Sequence, residues 1–302
     1  MINNKDQKTV SNHTFYYVNE TLTPEIIPGW CPLYFLYFNP LGKLIRKIIR
    51  CRWVARLSAW FYSTSRSRSR IKHFIKAYRI SMDDYEKPAN EYSSFNDFFI
   101  RKLKPGVRPI NPDPSVIISP ADSKLYVIDN ISVSTTFFVK QTLFDLDRFL
   151  GDSSLAREFY NGNMMIFRLA PNDYHRFHFP TDCVPLAPKP IHGTLESVMP
   201  FVYKSGHQPL LENERHIIML QTEKFGPIAM VPVGAMIVGK IVETYMPNKK
   251  YLKGEEAGYF AFGGSTVVLL FKQGVIRPLP AFTKHSLQGF ETAVKMGESL
   301  NE

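Results

Sequence analysis

From about residue 115 onward, short runs rich in β-branched and aromatic residues alternate with proline, glycine, asparagine and aspartate. SVIISPADSKLYVI, NISVSTTFFVKQ, NMMIFRLAP, RHIIMLQT, GPIAMVPVGAMIVGKIV and STVVLLF all read as strands bounded by turn residues. A chain written this way buries its apolar residues in pleated sheets. The expectation is an α+β, mainly β, fold with a sandwich or barrel-like assembly. One helix over roughly Phe144–Phe149 is expected to interrupt the strands, and another at Ser94–Lys102 to precede them. No repeat of fixed period is present. With 302 residues, 44% of them hydrophobic, the chain can fill one large domain plus an appendage.

The first 82 residues have a different texture. Residues 1–25 read as a tail or loosely held lead-in. Between Ile26 and Met82 there is no aspartate or glutamate, while the same span holds twelve lysines and arginines together with Trp30, Trp53 and Trp60. Much of the formal net charge of +10 is therefore concentrated in one segment. In LGKLIRKIIRC, Leu41, Leu44, Ile45 and Ile48 share one helical face, with Lys43, Arg46, Lys47 and Arg50 roughly opposite. RWVARLSAWF repeats the pattern with Trp53, Leu57 and Trp60, STSRSRSR is a polar break, and IKHFIKAYRI is helical and basic again. Ordinary surface helices packed on the core would also give this pattern. Tryptophan on the apolar faces and purely cationic polar faces favour a membrane surface, with Lys43, Arg46, Lys47, Arg50 and Trp53 as the expected contacts. Nucleic acid is not expected, because no recognition helix, zinc-finger spacing or aromatic RNA-binding signature is present.

No run of about 18 apolar residues exists, so no spanning helix is expected. The polar start MINNKDQKTVSNHT carries no apolar signal region. Cys31, Cys51 and Cys183 are far apart and form no CxxC, which suits a reducing compartment. Together these point to a peripheral protein.

Three stretches could carry chemistry. ISPADSKL places Asp122 after a strand and a proline. RLAPNDYHRFHFP gathers Asp173, His175, Arg176 and His178. GYFAFGGSTVVLLFK sets Ser265 where Gly263-Gly264 meets a strand. A histidine can take the proton of a serine hydroxyl while a carboxylate fixes the imidazole tautomer, although sequence order alone does not show that the three meet. Each stretch also has a plain reading: a turn capped by Asp122, or a bulge solvated by Ser265. No HExxH or cysteine cluster accompanies the histidines, so a metal is not expected. The hydrolase elbow Gly-x-Ser-x-Gly is not matched either, since the second glycine is missing and a strand follows.

Taken together, FGGSTVVLLF, RLAPNDYHRFHFP, ISPAD and FNDFFIRKLKPGVRPI resemble the phosphatidylserine decarboxylase family, closest to its shorter bacterial branch. ENERHIIML, VPVGAMIVGKI, KGEEAGYFAFGGST and SLQGFETAVKMGESL are similar to it as well, so the resemblance spans about Ser94 to Leu300. It implies a proenzyme that cuts itself between Gly264 and Ser265 into a β chain, residues 1–264, and an α chain, residues 265–302. Residues 1–82 would be the tail and basic membrane-associating helices, and 83–302 the decarboxylase domain.

The same resemblance gives roles. Ser265 Oγ attacks the Gly264 carbonyl, His178 is its base and Asp122 the orienting carboxylate. Ser123 stands where a glycine is common. The Ser265 remnant becomes a covalent pyruvoyl group, with no metal or external cofactor. Phosphatidylserine is decarboxylated to phosphatidylethanolamine through a Schiff base to that group, and His175 contacts substrate or donates a proton. The implied partners are phosphatidylserine and an anionic membrane surface at the cytoplasmic face, the β and α chains of one precursor, and a homodimer as the assembly to test. The alternatives are a pyruvoyl-dependent decarboxylase of a soluble aromatic amino acid and a non-catalytic membrane-binding homologue.

Overall fold

The computed structural model describes residues 15–25, 27, 29–132, 144–236, 240–261 and 265–302. In chain order the strands are β1 (Phe15–Val18), β2 (Thr21–Pro24), β3 (Ser123–Ile128), β4 (Asn163–Leu169), β5 (Arg176–His178), β6 (Val184–Pro185), β7 (Lys189–Ile191), β8 (Arg215–Thr222), β9 (Gly226–Val233), β10 (Lys240–Glu243), β11 (Glu256–Ala261), β12 (Ser265–Phe271) and β13 (Glu291–Val294). The helices are α1 (Trp30–Phe38), α2 (Pro40–Ile49), α3 (Arg52–Tyr62), α4 (Ser69–Tyr78), α5 (Phe95–Phe99), α6 (Leu146–Leu150), α7 (Ser153–Arg157), α8 (Pro209–Glu212) and α9 (Pro280–Leu287).

The fold is mixed α and β around a large sheet ordered β2-β1-β13-β3-β4-β12-β9-β8-β6, with β7 also on β8. All its named pairs are antiparallel except β1 with β13. The order runs from β2 to β6 without returning, so the expected barrel-like closure does not form. A second sheet, β10-β11-β5, is separate.

The two faces of the large sheet explain the continuous apolar runs. Side chains alternate across a strand. Val267, Leu269 and Phe271 of β12 join Met165, Phe167 and Leu169 of β4 in one core, which also holds Phe177, Ile241, Ala257 and Phe260 of the small sheet. Val268 and Leu270 join Met164 and Ile166 in a second core, closed by Phe144, Phe149, Ala156, Phe159 and Leu210. With both faces covered, β4 and β12 are buried at every position, and polar alternation disappears from their sequence.

Two helices lie close to their expected places because their caps are local. Asp145 accepts from Arg148 N at 2.8 Å to start α6, and Gly151 ends it at φ 61°. Ser94 caps α5 through Asp97 N at 3.1 Å, although α5 stops at Phe99, short of Lys102. The lead-in differs from expectation. From Phe15 it forms the hairpin β1–β2, turned by Asn19 and Glu20, both at positive φ, as a two-residue hairpin loop demands. Glu25, just beyond, is buried against Arg168 of β4.

The basic segment is helical, but one cation expected at its surface, Arg46 of α2, points inward. Arg46 is buried, ion-paired to the fully buried Glu196 at 2.6 Å and stacked over Tyr37. Arg50 reaches the same carboxylate at 3.2 Å. Arg46 is thus an internal residue, not a surface contact, because it supplies the shortest ion pair to the buried Glu196 charge. The apolar face looks outward, as a membrane-facing helix requires: Leu44, Trp53 and Trp60 are 59%, 62% and 65% exposed, and Leu41, Ile48 and Leu57 are exposed beside them. Lys43 and Lys47 are exposed too. Among the described residues no helix is long and apolar enough to cross a membrane.

Candidate active site

Strand register brings the predicted residues to one corner. Ser265 pairs with Leu169 at the end of β4, and Lys124 of β3 pairs with Arg168 on the other side of β4. Asp122, just before β3, and Ser265, first in β12, therefore stand at the same edge with one strand between them, roughly 10 Å apart by strand spacing. Ser265 has the parity of Val267 and Leu269, so its side chain faces the small sheet. That sheet supplies His178, the last residue of β5, whose N–H donates to Pro120 O at 2.8 Å, two residues before Asp122. Phe260 N donates to His175 O at 2.9 Å, so β11 runs beside His175 before the chain crosses between sheets to Ser265. Gly263 and Gly264, which precede Ser265 in sequence, lie outside the described residues.

Each side chain has a defined environment. Ser265 is fully buried, and its Oγ has no hydrogen-bond partner among the described residues. A buried hydroxyl left without a partner costs about 1–3 kcal/mol. Asp122 is 2% exposed. It accepts from Arg108 Nε at 3.1 Å and Nη2 at 2.7 Å, from Met296 N at 2.9 Å and from Lys295 Nζ at 3.4 Å. Burial alone would raise its pKa, but the Arg108 hydrogen bonds and the Lys295 charge outweigh it and hold the carboxyl below its ordinary value.

His178 Nδ1 lies 2.9 Å from Gly254 O. A carbonyl only accepts, so Nδ1 carries the proton and Nε2 keeps the lone pair. Gly254 sits at φ +84°, where a Cβ would meet Ile110 at 2.9 Å, so glycine is what lets its carbonyl turn toward the ring. Nε2 faces Tyr174 Oη at 3.0 Å. Burial pushes the His178 pKa down, which keeps the ring neutral and available as a base. No hydrogen bond joins Ser265, His178 and Asp122 to one another. They share the corner, and Asp122 acts on His178 through space.

His175 is fully buried. Its Nδ1 is 2.9 Å from Asp173 O, and Phe99 lies against its ring at a centroid distance of 3.9 Å. The segment FNDFFIRKLKPGVRPI serves this corner throughout. Phe99 covers His175, Arg101 donates to the Asn172 and Asp173 carbonyls at 2.8 and 3.0 Å, Ile100 O accepts from Arg176, and Arg108 holds Asp122. Arg101, Arg108 and Tyr174 were not singled out from sequence. Arg101 and Arg108 lie within the quoted motif, and Tyr174 is four residues before His178. A cavity of about 290 Å³ opens beside them, lined by Lys102, Arg108, Tyr174, His178, Gly254 and Met296.

A buried serine hydroxyl with no hydrogen-bond partner among the described residues thus begins a central strand at the corner that also holds a neutral histidine and a charge-held carboxylate, the residue types of a nucleophile, a base and an orienting acid. The model of the family described as phosphatidylserine decarboxylase matches residues 95–302, and this chain belongs to that family. It is 43% identical over 267 residues to a phosphatidylserine decarboxylase proenzyme of Chlamydia pneumoniae, covering 88% of this chain and 89% of the relative. The proenzyme of Fusobacterium nucleatum subsp. nucleatum is 42% identical over 280 residues, covering 91% and 92%. That of Chlamydia caviae is 42% identical over 267 residues, covering 88% and 89%. The likeness therefore extends well into the N-terminal helices.

Proposed function

We propose that this chain decarboxylates phosphatidylserine to phosphatidylethanolamine, using a pyruvoyl group made from its own Ser265. The observation that carries the reading is the buried Oγ of Ser265, which has no hydrogen-bond partner among the described residues and directly follows Gly263-Gly264 in sequence. His178 Nε2 takes the Oγ proton, Oγ adds to the Gly264 carbonyl carbon, and the C–N bond breaks to leave an ester and a free amine on residue 265. Loss of the Ser265 Cα proton then breaks the Cβ–Oγ bond, releasing Gly264 as a carboxylate. The dehydroalanine left on residue 265 tautomerises and is hydrolysed, giving ammonia and the pyruvoyl end. Asp122, pinned by Arg108, biases His178 electrostatically toward accepting the proton.

The pyruvoyl group supplies an electrophilic carbonyl that condenses with the substrate amine and accepts electrons as carbon dioxide leaves. The chain's own residues bind and orient. The cavity of about 290 Å³ beside His178 suits a headgroup better than a whole lipid. His175, held by Phe99 and the Asp173 carbonyl, is assigned to substrate contact or proton transfer.

The acyl tails must stay in hydrocarbon, which gives the outward apolar faces of α2 and α3 a use. Support comes from their neighbours: Tyr62 at the end of α3 packs with Phe95, Phe98 and Phe99 of α5, and Phe99 covers His175, so the helical segment is linked to the corner through α5. The contacts are Lys43, Lys47, Trp53 and Trp60, at the cytoplasmic face of the membrane. We also read the small sheet over the large one as a sandwich, and residue 82 as the limit of the membrane-associating part. The test is intact mass combined with carbon dioxide release from phosphatidylserine vesicles. Two chains of 264 and 38 residues and release of carbon dioxide are expected, whereas a single inert 34.8 kDa chain would refute the reading.

A further inference from the structure

We infer that Tyr174 is a hold on self-cleavage: its O–H occupies the Nε2 of His178, so the chain can cut only when Ser265 replaces Tyr174 at that nitrogen. The inference rests on the functional reading above and adds a positioning residue to it. His178 Nδ1 is committed to Gly254 O, which leaves Nε2 as the one ring atom able to take a proton. Tyr174 Oη lies 3.0 Å from it, and the two rings are nearly parallel with centroids 5.7 Å apart. Tyr174 is 3% exposed, and burial raises its pKa, so the phenol stays protonated and donates. Ser265 Oγ, the group that needs Nε2, is left without a partner among the described residues.

The exchange breaks one O–H···N hydrogen bond and forms another. No covalent bond changes until the Ser265 proton passes to Nε2. Tyr174 acts through His178. A rotation of the phenol into the adjoining cavity, which both residues line, is enough to release the ring.

The experiment compares freshly synthesised parent and Tyr174→Phe chains followed through time for the appearance of the two fragments. The phenyl ring keeps the packing and removes the donor. Cutting should be about fivefold faster, the ratio given by a typical net hydrogen bond. A second measurement uses chains that cannot cut. In Ser265→Ala, adding Tyr174→Phe should raise the NMR-monitored titration of His178, because the lost donor favoured the neutral ring. The charged groups around His178, namely Arg176, Glu256, Asp122, Arg108, Lys102, Lys104 and Glu86, are present in both chains, so the difference isolates Tyr174. Equal or slower cutting, or an unmoved titration, would overturn the hold. A parent chain that stays whole would refute the self-cleavage reading itself, and the hold with it, before any variant is compared.

Discussion

Val268 and Trp53 are both apolar side chains placed by a regular period, one in a strand and one in a helix. Val268 is fully buried between β4 and β9, while Trp53 is 62% exposed on α3. Arg46 and Lys47 differ in the same way: adjacent cations, one buried on Glu196 and the other in solvent. Around Ser265 nearly every polar group is paired and every apolar one covered. On α2 and α3 the apolar groups stay outside and a charge goes in. Periodicity therefore says which residues share a face but not which way the face looks. A face left open after folding has to be explained by what it meets next.

The sharpest way to break this comparison is at the covered end. Ser265→Ala removes the attacking oxygen, so the chain should remain a single 34.8 kDa species with no decarboxylation, read by intact mass. His178→Ala should slow cutting by about 10²–10⁴, the usual worth of a general base, measured by the same fragment assay. Cutting at parental speed would remove His178 from the mechanism. Between the two regions, Arg46→Glu should cost about 3–5 kcal/mol in a denaturant titration, because it sets a second carboxylate against buried Glu196. Lys47→Glu should change stability by no more than about 0.5 kcal/mol. Equal effects at positions 46 and 47 would mean that α2 is not oriented as described.

At the open end the effects are smaller. Lys43→Glu and Lys47→Glu should each weaken binding to anionic vesicles about fivefold or somewhat more at low salt, and Trp53→Ser with Trp60→Ser should weaken it further, all without slowing self-cleavage. A loss of cleavage along with binding would make these helices supports of the core. The smallest effect is in pH. Burial lowers the His178 pKa, so its neutral form persists to lower pH than for a free imidazole. The cleavage rate should be flat near neutrality and fall only below about pH 6.5, the ordinary value. A fall beginning above that value would contradict the burial of His178.

Much of this was readable in the chain. STVVLLF and NMMIFRL became β12 and β4 because β-branched and aromatic residues on both parities can only be buried on both sides. The α6 position followed from local capping by Asp145. The site residues came from motif resemblance, and strand register then set Asp122 and Ser265 at one edge. What was not readable depends on distant partners. The inward turn of Arg46 depends on Glu196, 150 positions away, and the state of Asp122 on Arg108, Lys295 and Met296. The β1–β2 hairpin did have a signal, FYYV and TLTP around two turn residues, but its pairing with β13 lies at the other end of the chain.

That pairing bears on when the chain can mature. Asp122 is held by Lys295 and Met296, and β13 closes the space between β1 and β3, so the corner is incomplete until the last residues are in place. On the proposed reading, the cut reports that β13 has been made and docked. A nascent chain still tethered short of residue 290 should stay whole however long it waits, and cutting in such a stalled chain would show that the corner assembles without its C-terminal strand. Once made, the 38-residue piece cannot leave: β12 is hydrogen-bonded to β4 and β9, and β13 to β1 and β3. The two products should travel as one particle until denatured, so the break releases a chain end and not a subunit.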